Sequence, residues 1–205
     1  GGSLLLYPAD FHTDDQRLVA GTRARPEADI VVTESTYADT GHENRDQVEK
    51  RFVESVRTAI WDGGTVVVPA FAIGRTQEML LLLADNNVDC YLDGMGTEVT
   101  RLLRRHPDFL RDHDALKRAS ANARTVTGRD GQRERIADTN TVIVTTAGML
   151  NGGPALSYIP EIRSHPTNKI LLTGYQVEGT PGRELLEYGR LPVDDGVVPV
   201  SAQVE

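Results

Sequence analysis

The sequence predicts an α/β fold, a mainly parallel sheet flanked by helices, and three observations carry that prediction. Short apolar, β-branched runs alternate with segments of helical period along the whole chain, the pattern of strands joined by crossover helices. Two of those runs pass directly through a glycine-containing turn into a helical pattern, at residues 69–78 and 145–155. The 205 residues suffice for one good-sized core but not for two full domains.

Taken in order, residues 4–7 and 30–33 read as strands from their short apolar runs. Residues 43–62 read as a helix, because Val48, Phe52, Val56, Ala59 and Ile60 recur near helical spacing opposite a charged face, and Gly63-Gly64 ends it. A buried strand follows at 65–69, then a helix at 74–85 with Met79, Leu80, Leu82 and Leu83 turned inward, then a strand at 88–92. These three form a βαβ unit. A helix is expected over 97–105 and a mixture of short helix and loop over the polar stretch 111–123. The β-branched runs 141–145 and 169–173 are two further strands, separated by a glycine-rich turn and a helix at 155–163. Residues 198–205 read as one more strand. There is no internal repeat and no low-complexity linker.

No apolar run is long enough to span a bilayer and no signal-peptide pattern is present, so the expected location is cytoplasmic, with no membrane partner. The single Cys90 has no disulfide or CxxC partner and is read as a small buried residue. A formal charge of −8 argues against a basic nucleic-acid-binding surface, since Lys and Arg normally supply most non-specific affinity for phosphate. The kinds of charge weaken that objection: 19 Arg stand against 3 Lys, and 17 Asp against 13 Glu. Such a bias fits adaptation to high salt or a GC-rich genome. At roughly 1 M salt charges are screened within about 3 Å, leaving local Arg clusters and backbone donors to decide binding.

Asp10 follows a strand in a loop with His12, Asp14 and Asp15, and reads either as a surface-turn residue or as a metal ligand at a strand end. Glu34 closes a strand expected to be buried, and reads either as a turn carboxylate beside Ser35 and Thr36 or as a group that orients a proton donor. Residues 72–78 place Gly74, Arg75 and Thr76 at a strand-to-helix turn, where helix N–H groups and a guanidinium can hold an anion; tight helix–strand packing also explains the glycine. The spacing is not that of a P-loop, so ATP use is not expected. Gly148, Gly152 and Gly153 form a second such turn, and the run 174–183, with Gly179 and Thr180, a third. Read bare, each is a glycine-rich loop at the carboxyl end of a parallel strand, where α/β sheets bind ligands in general. His106, His113 and His165 read as solvated, and Asp93-Gly94-Met95-Gly96 as a phosphate contact or a helix cap.

In their fixed order, Tyr7-Pro8-Ala9-Asp10-Phe11, Thr33-Glu34-Ser35-Thr36-Tyr37, Pro69-Ala70-Phe71-Ala72-Ile73-Gly74-Arg75-Thr76-Gln77-Glu78, Thr145-Thr146-Ala147-Gly148-Met149-Leu150-Asn151-Gly152-Gly153-Pro154 and Gly174-Tyr175-Gln176-Val177-Glu178-Gly179-Thr180 resemble the β-CASP branch of the metallo-β-lactamase superfamily. These are zinc-dependent nucleases, among them archaeal cleavage and polyadenylation factors and ribonuclease J. The resemblance runs from about Leu4 to the last residue. It implies that 1–36 flank the first metallo-β-lactamase half, 37–190 form the β-CASP domain, and 191–205 return toward the metallo-β-lactamase portion. By the same resemblance Asp10 bridges two zinc ions, although Ala9 replaces a glycine of the pattern. Glu34 supports the proton donor, His42 packs in its loop or faces RNA, and Gly74, Arg75, Thr76, Gly148, Gly152, Gly153, Gly179 and Thr180 contact substrate. RNA is the implied partner, with homodimerisation left open. The chain has no HxHxDH run, so of the metal ligands only Asp10 is expected here. The chain alone is predicted to hold no dinuclear zinc site and to be inactive. The alternative is a non-catalytic β-CASP scaffold or partner-binding subunit of an RNA-processing complex. A Rossmann-type nucleotide or sugar enzyme is disfavoured because no GxGxxG follows any strand.

Overall fold

In the computed structural model, which describes residues 2–193 and 196–205, the chain folds around a six-stranded parallel sheet. Two short strands precede it, β1 (Leu5–Leu6) and β2 (Ile30–Val31), which pair in parallel with each other alone. Contrary to expectation this pair is not buried: Ile30 and Val31 are exposed, and Glu34 beyond them is exposed too. No third strand among the described residues joins the pair.

Helix α1 (Arg45–Trp61) starts where the Asn44 side chain accepts a hydrogen bond from the Gln47 N–H, a standard N-cap. It buries Val53, Ser55, Val56 and Ala59. Val48, expected inside, is exposed, because the inward stripe of the first two turns is occupied by Arg45 and Glu49, which bind each other and reach Glu78 and Arg17. Strand β3 (Val66–Pro69) is wholly buried, and α2 (Arg75–Asp85) is buried over residues 76–83 because it lies between the sheet and a second helix layer. Strand β4 (Cys90–Asp93) and α3 (Met95–Leu103) follow, then α4 (His113–Asn122), which is longer than its polar sequence predicts. Asp112 caps α4 through the Ala115 N–H, and Leu116 and Ala119 are its buried stripe against α2.

Two elements on the sheet margin escape sequence reading, the edge strand β5 (Ala123–Thr125) and the short α5 (Gln132–Ala137). Strand β6 (Val142–Thr145), α6 (Ala155–Ile162) and β7 (Lys169–Ile170) fall where expected. Helix α7 (Pro181–Tyr188) begins inside the run 174–183 that reads as a glycine-rich loop, although Thr180 as cap and Pro181 at the first helical position are a recognisable start. The chain closes with the antiparallel β8 (Arg190–Val193) and β9 (Gly196–Pro199), then β10 (Gln203–Val204). The single strand expected over 198–205 is thus the end of β9 followed by β10, which joins the sheet beside β7.

The strand order is β10-β7-β3-β6-β4-β5, all parallel. Strand residues alternate between the two faces. Val66, Val68, Val142 and Val144 meet α1, α2 and α4 in one core, while Val67, Ile143 and Ile170 meet α5, α6 and α7 in the other, which also takes Leu191 and Ala202. Cys90 is buried as expected, and burial, aided by the Asp89 charge, pushes its thiol up to about 12. No helix among the described residues is long and apolar enough to cross a membrane.

Candidate functional site

Strands β3 and β6 are neighbours, yet the helices that follow them leave on opposite faces, α2 into the first core and α6 into the second. Parallel sheets open a crevice at such a switch point, outside the carboxyl ends of the strands. The turns after β3, β6 and β7 all reach that place.

Phe71 is their common centre. A methyl group on Gly148 would meet the Phe71 nitrogen at 3.0 Å, and one on Gly174 would meet the Phe71 ring at 2.8 Å, so both glycines are needed for close approach. Gln176, buried to 3% exposure, donates through Nε2 to the carbonyls of Gly148 at 3.0 Å and Gly174 at 2.9 Å. Its Oε1 is buried with no partner among the described residues. The Gly182 N–H donates to the Met149 carbonyl at 3.0 Å, a second stitch between the same two loops. Gly153 stands at φ +77, and any side chain there would meet the Thr146 carbonyl oxygen at 2.7 Å.

The expected substrate residues divide by exposure. Arg75, His42, Gly153 and Gly179 are exposed, and Arg75 has no carboxylate partner among the described residues. Gly74 and Gly152 are half-buried. Thr76 is fully buried, and its hydroxyl and N–H both donate to the Phe71 carbonyl, which corrects its reading from ligand contact to turn closure. The Thr180 hydroxyl caps α7 and donates to Val177, and Gly148 is buried against Phe71. The expected group of free N–H donors at the start of α2 is also corrected: Gly74 donates to Gln77 Oε1, Arg75 to Ile73 and Glu78 to Gly74. Arg75 is the exposed charged residue of that turn.

Sequence reasoning missed the aromatic rim. Tyr37 stands edge-to-face with His42 at 4.6 Å and with Tyr175 at 5.8 Å, and both tyrosines are more than 40% exposed. This contact brings the loop that carries Glu34, Tyr37 and His42 to the crevice. Hydrogen bonds from Thr36, backbone first and hydroxyl second, hold the Glu34 carboxyl below its usual range, the turn geometry that its bare sequence suggested. Asp10 is exposed. Among the described residues no three His, Cys, Asp or Glu side chains gather as a metal-binding group.

Ala9, where the resemblance expects glycine, stands at φ +52. The left-handed region costs an L-residue about 1–2 kcal/mol, and glycine loses roughly 0.4–1 kcal/mol of that gain through a freer unfolded chain. Ala9→Gly is therefore expected to raise the thermal midpoint, by about 1–4 °C on the usual scaling for this chain length. Circular dichroism melts check this, and a lowered midpoint would sink the strain argument.

Two buried carboxylates lie behind the site and were likewise missed in their roles. Asp93, at the end of β4, accepts from Arg133 Nε at 2.7 Å, the Tyr158 hydroxyl at 2.8 Å and the Gly94 N–H at 2.7 Å. Burial first, then the hydrogen bond to Asp93, pushes the Tyr158 hydroxyl far above its ordinary pKa. Glu78 accepts from the N–H groups of Arg17 and Leu18 and from Arg45.

Comparison with known proteins agrees with this architecture. A family model described as the Beta-Casp domain matches residues 76–185, more than half of the chain. The chain is 37% identical over 195 residues to a protein of Methanocaldococcus jannaschii named "Probable RNase MJ4", covering 91% of this chain and 46% of that protein. It is 39% identical over 180 residues to "RNase aCSPSF2" of Saccharolobus solfataricus, covering 87% and 36%. It is 30% identical over 212 residues to "Transcription termination factor FttA" of Methanothermobacter thermautotrophicus, covering 93% and 33%. The chain thus spans less than half the length of these relatives.

Proposed function

This chain belongs to the β-CASP branch of the metallo-β-lactamase superfamily, and on that premise we propose that it is the RNA-gripping part of a nuclease that hydrolyses RNA phosphodiester bonds in RNA processing or decay. The observation that carries the reading is the convergence of three strand-end turns at the switch point, where one turn carries the exposed Arg75, without a carboxylate partner among the described residues, and another carries the exposed Tyr175 beside Tyr37. Arg75 meets a backbone phosphate, and guanidinium is suited to that by its planar fork of donors. Tyr175 and Tyr37 offer faces on which bases stack, a contact that tolerates any sequence. The exposed backbone at Gly153 and Gly179 leaves room for the strand to pass.

In this reading residues 37–190 are the β-CASP domain, 1–36 and 191–205 are its flanks toward a metallo-β-lactamase portion, and the protein works in the cytoplasm. Asp10 is exposed, and among the described residues no three His, Cys, Asp or Glu side chains gather around it. Dinuclear zinc would activate water for attack on phosphorus, with Asp10 as one ligand among several. Glu34 is assigned only the orientation of a neighbouring proton donor.

The test is binding of labelled single-stranded RNA to the chain, by fluorescence anisotropy. Arg75→Gln and Tyr175→Ala are each expected to weaken it about 10-fold, within the roughly 1–3 kcal/mol that a stacked base is worth. Both side chains are exposed, so the melts should stay put. Binding that ignores both changes would refute the crevice as the RNA track and favour the scaffold reading.

A further inference from the structure

We propose that a second phosphate-binding track, formed by the groove between α3 and α4, takes single-stranded RNA on its way out of the crevice. The groove has a volume of about 320 Å³ and is lined by Arg101, Arg104, Arg105, His113 and Lys117. Five basic or titratable nitrogen side chains in one groove are unusual in a chain of net charge −8 that has only three lysines. Over residues 101–118 six Arg and Lys face three Asp, a local charge of +3. Arg101 is committed to Glu98. Arg104, Arg105 and Lys117 are exposed and have no carboxylate partner among the described residues.

Helix C-termini attract cations for electrostatic reasons of their own, which accounts for basic residues at the end of α3. It does not account for Lys117, which comes from the middle of α4 and turns toward the same groove. The two walls are fixed to each other, because His113 Nε2 donates to the Arg104 carbonyl at 3.0 Å. His113 is therefore half-buried and structural, a correction to its reading as a solvated histidine. The turn that joins the walls exposes Phe109 at 74%, edge-to-face with His106 at 6.4 Å. Exposed cations with adjacent exposed rings suit a single strand, whose phosphates and bases need both. An acidic protein segment would use the cations alone.

Helix α3 runs from the neighbourhood of the crevice to the groove. Helix α3 starts beside the Gly74 turn, where a methyl on Gly96 would touch Thr76 at 2.7 Å. Arg104 is eight residues further along, about 12 Å at the helical rise. A strand held at Arg75 reaches the groove by following α3. This inference rests on the RNA reading proposed above, and the experiment separates their failures.

Anisotropy is measured with the intact chain on two RNAs, one long enough to span both places and one of about four nucleotides, near the lower limit of a binding site. The triple change Arg104→Gln, Arg105→Gln, Lys117→Gln is expected to weaken the long RNA 10-fold or more. It should lower the slope of log affinity against log salt by about 2, at roughly 0.7 for each phosphate no longer neutralised. The short RNA should be unaffected. A control triple, Lys50→Gln, Arg129→Gln and Arg135→Gln, removes the same charge from exposed positions elsewhere. Equal loss in the control would overturn the groove in favour of general electrostatics. Undiminished RNA binding with loss of polyglutamate binding would overturn it in favour of a protein ligand. If the groove triple weakens RNA while Arg75→Gln and Tyr175→Ala do not, the groove stands and the crevice reading falls. If the unaltered chain binds neither RNA, both fall.

Discussion

Glu78→Ala is expected to lower the thermal midpoint by about 6–12 °C, from a loss of about 3 kcal/mol when a buried hydrogen-bonded carboxylate is removed and its partners stay. Glu78 is 1% exposed. Its Oε1 accepts from the Leu18 N–H at 2.7 Å, and its Oε2 from the Arg17 N–H at 3.2 Å and Arg45 Nη2 at 2.8 Å. Leu18 itself is in the first core, so this carboxylate fastens the segment after β1 onto α2. Arg45 keeps Glu49 after the change, but that pair is partly exposed and contributes little. The larger cost lies in two backbone N–H groups left without an acceptor. Glu78→Gln retains one carbonyl oxygen and sets an amide against Arg45, so its loss should be intermediate. Protease cleavage within residues 12–25 should accelerate in parallel with the fall in midpoint. A midpoint within about 2 °C of the parent would show that the segment is held by other contacts.

Glu78 also shows what a sequence conceals. It closes the run that starts at Pro69 and carries the family resemblance, in which Thr76 reads as a substrate contact and Glu78 has no assigned role. Thr76, Gln77, Glu78, Asp93 and Gln176 are instead all buried at 3% exposure or less. Glycine-rich turns at strand ends bring backbone carbonyls and N–H groups inside, and buried polar groups require partners. Gln77 Nε2 meets the Ala72 carbonyl and the Thr100 hydroxyl, and Gln176 serves two carbonyls in the same way. Periodicity records which residues are apolar; it does not record whether a polar side chain serves the loop or the ligand. The apolar elements were legible because burial on both faces demands continuous runs, as in β3, β6 and α2. Elements at the margin, β5 and α5, have half-polar sequences because they are half-wet, and nothing in their pattern separates them from loop. The aromatic rim was illegible for another reason: Tyr37 and Tyr175 are 138 positions apart, and only the fold brings them together.

The stitch between the two glycine loops sets up the other large effect. A methyl group on Gly182 would lie 1.9 Å from Gln176 Oε1 and 3.1 Å from the Met149 carbonyl oxygen. The backbone oxygen is nearly fixed, so Gln176 must move, and moving it strips donors from the carbonyls of Gly148 and Gly174. Gly182→Ala is accordingly expected to cost about 2–3 kcal/mol, typical of overpacking in a tight interior, and to lower the midpoint by about 4–12 °C at this chain length. Gln176→Ala should itself cost about 1–3 kcal/mol through the orphaned carbonyls. The double change is the discriminating one. With the amide gone the new methyl has space, so the two losses should fall short of additivity by about 1 kcal/mol or more, as expected of groups in direct contact. Full additivity in melts of the four proteins would mean that Gly182 is required for its backbone and not for the room it leaves Gln176. The same four proteins, assayed for RNA well below their midpoints, also bear on the crevice. If the stitched loops form its wall, affinity falls with Gly182→Ala even while the sheet stays folded.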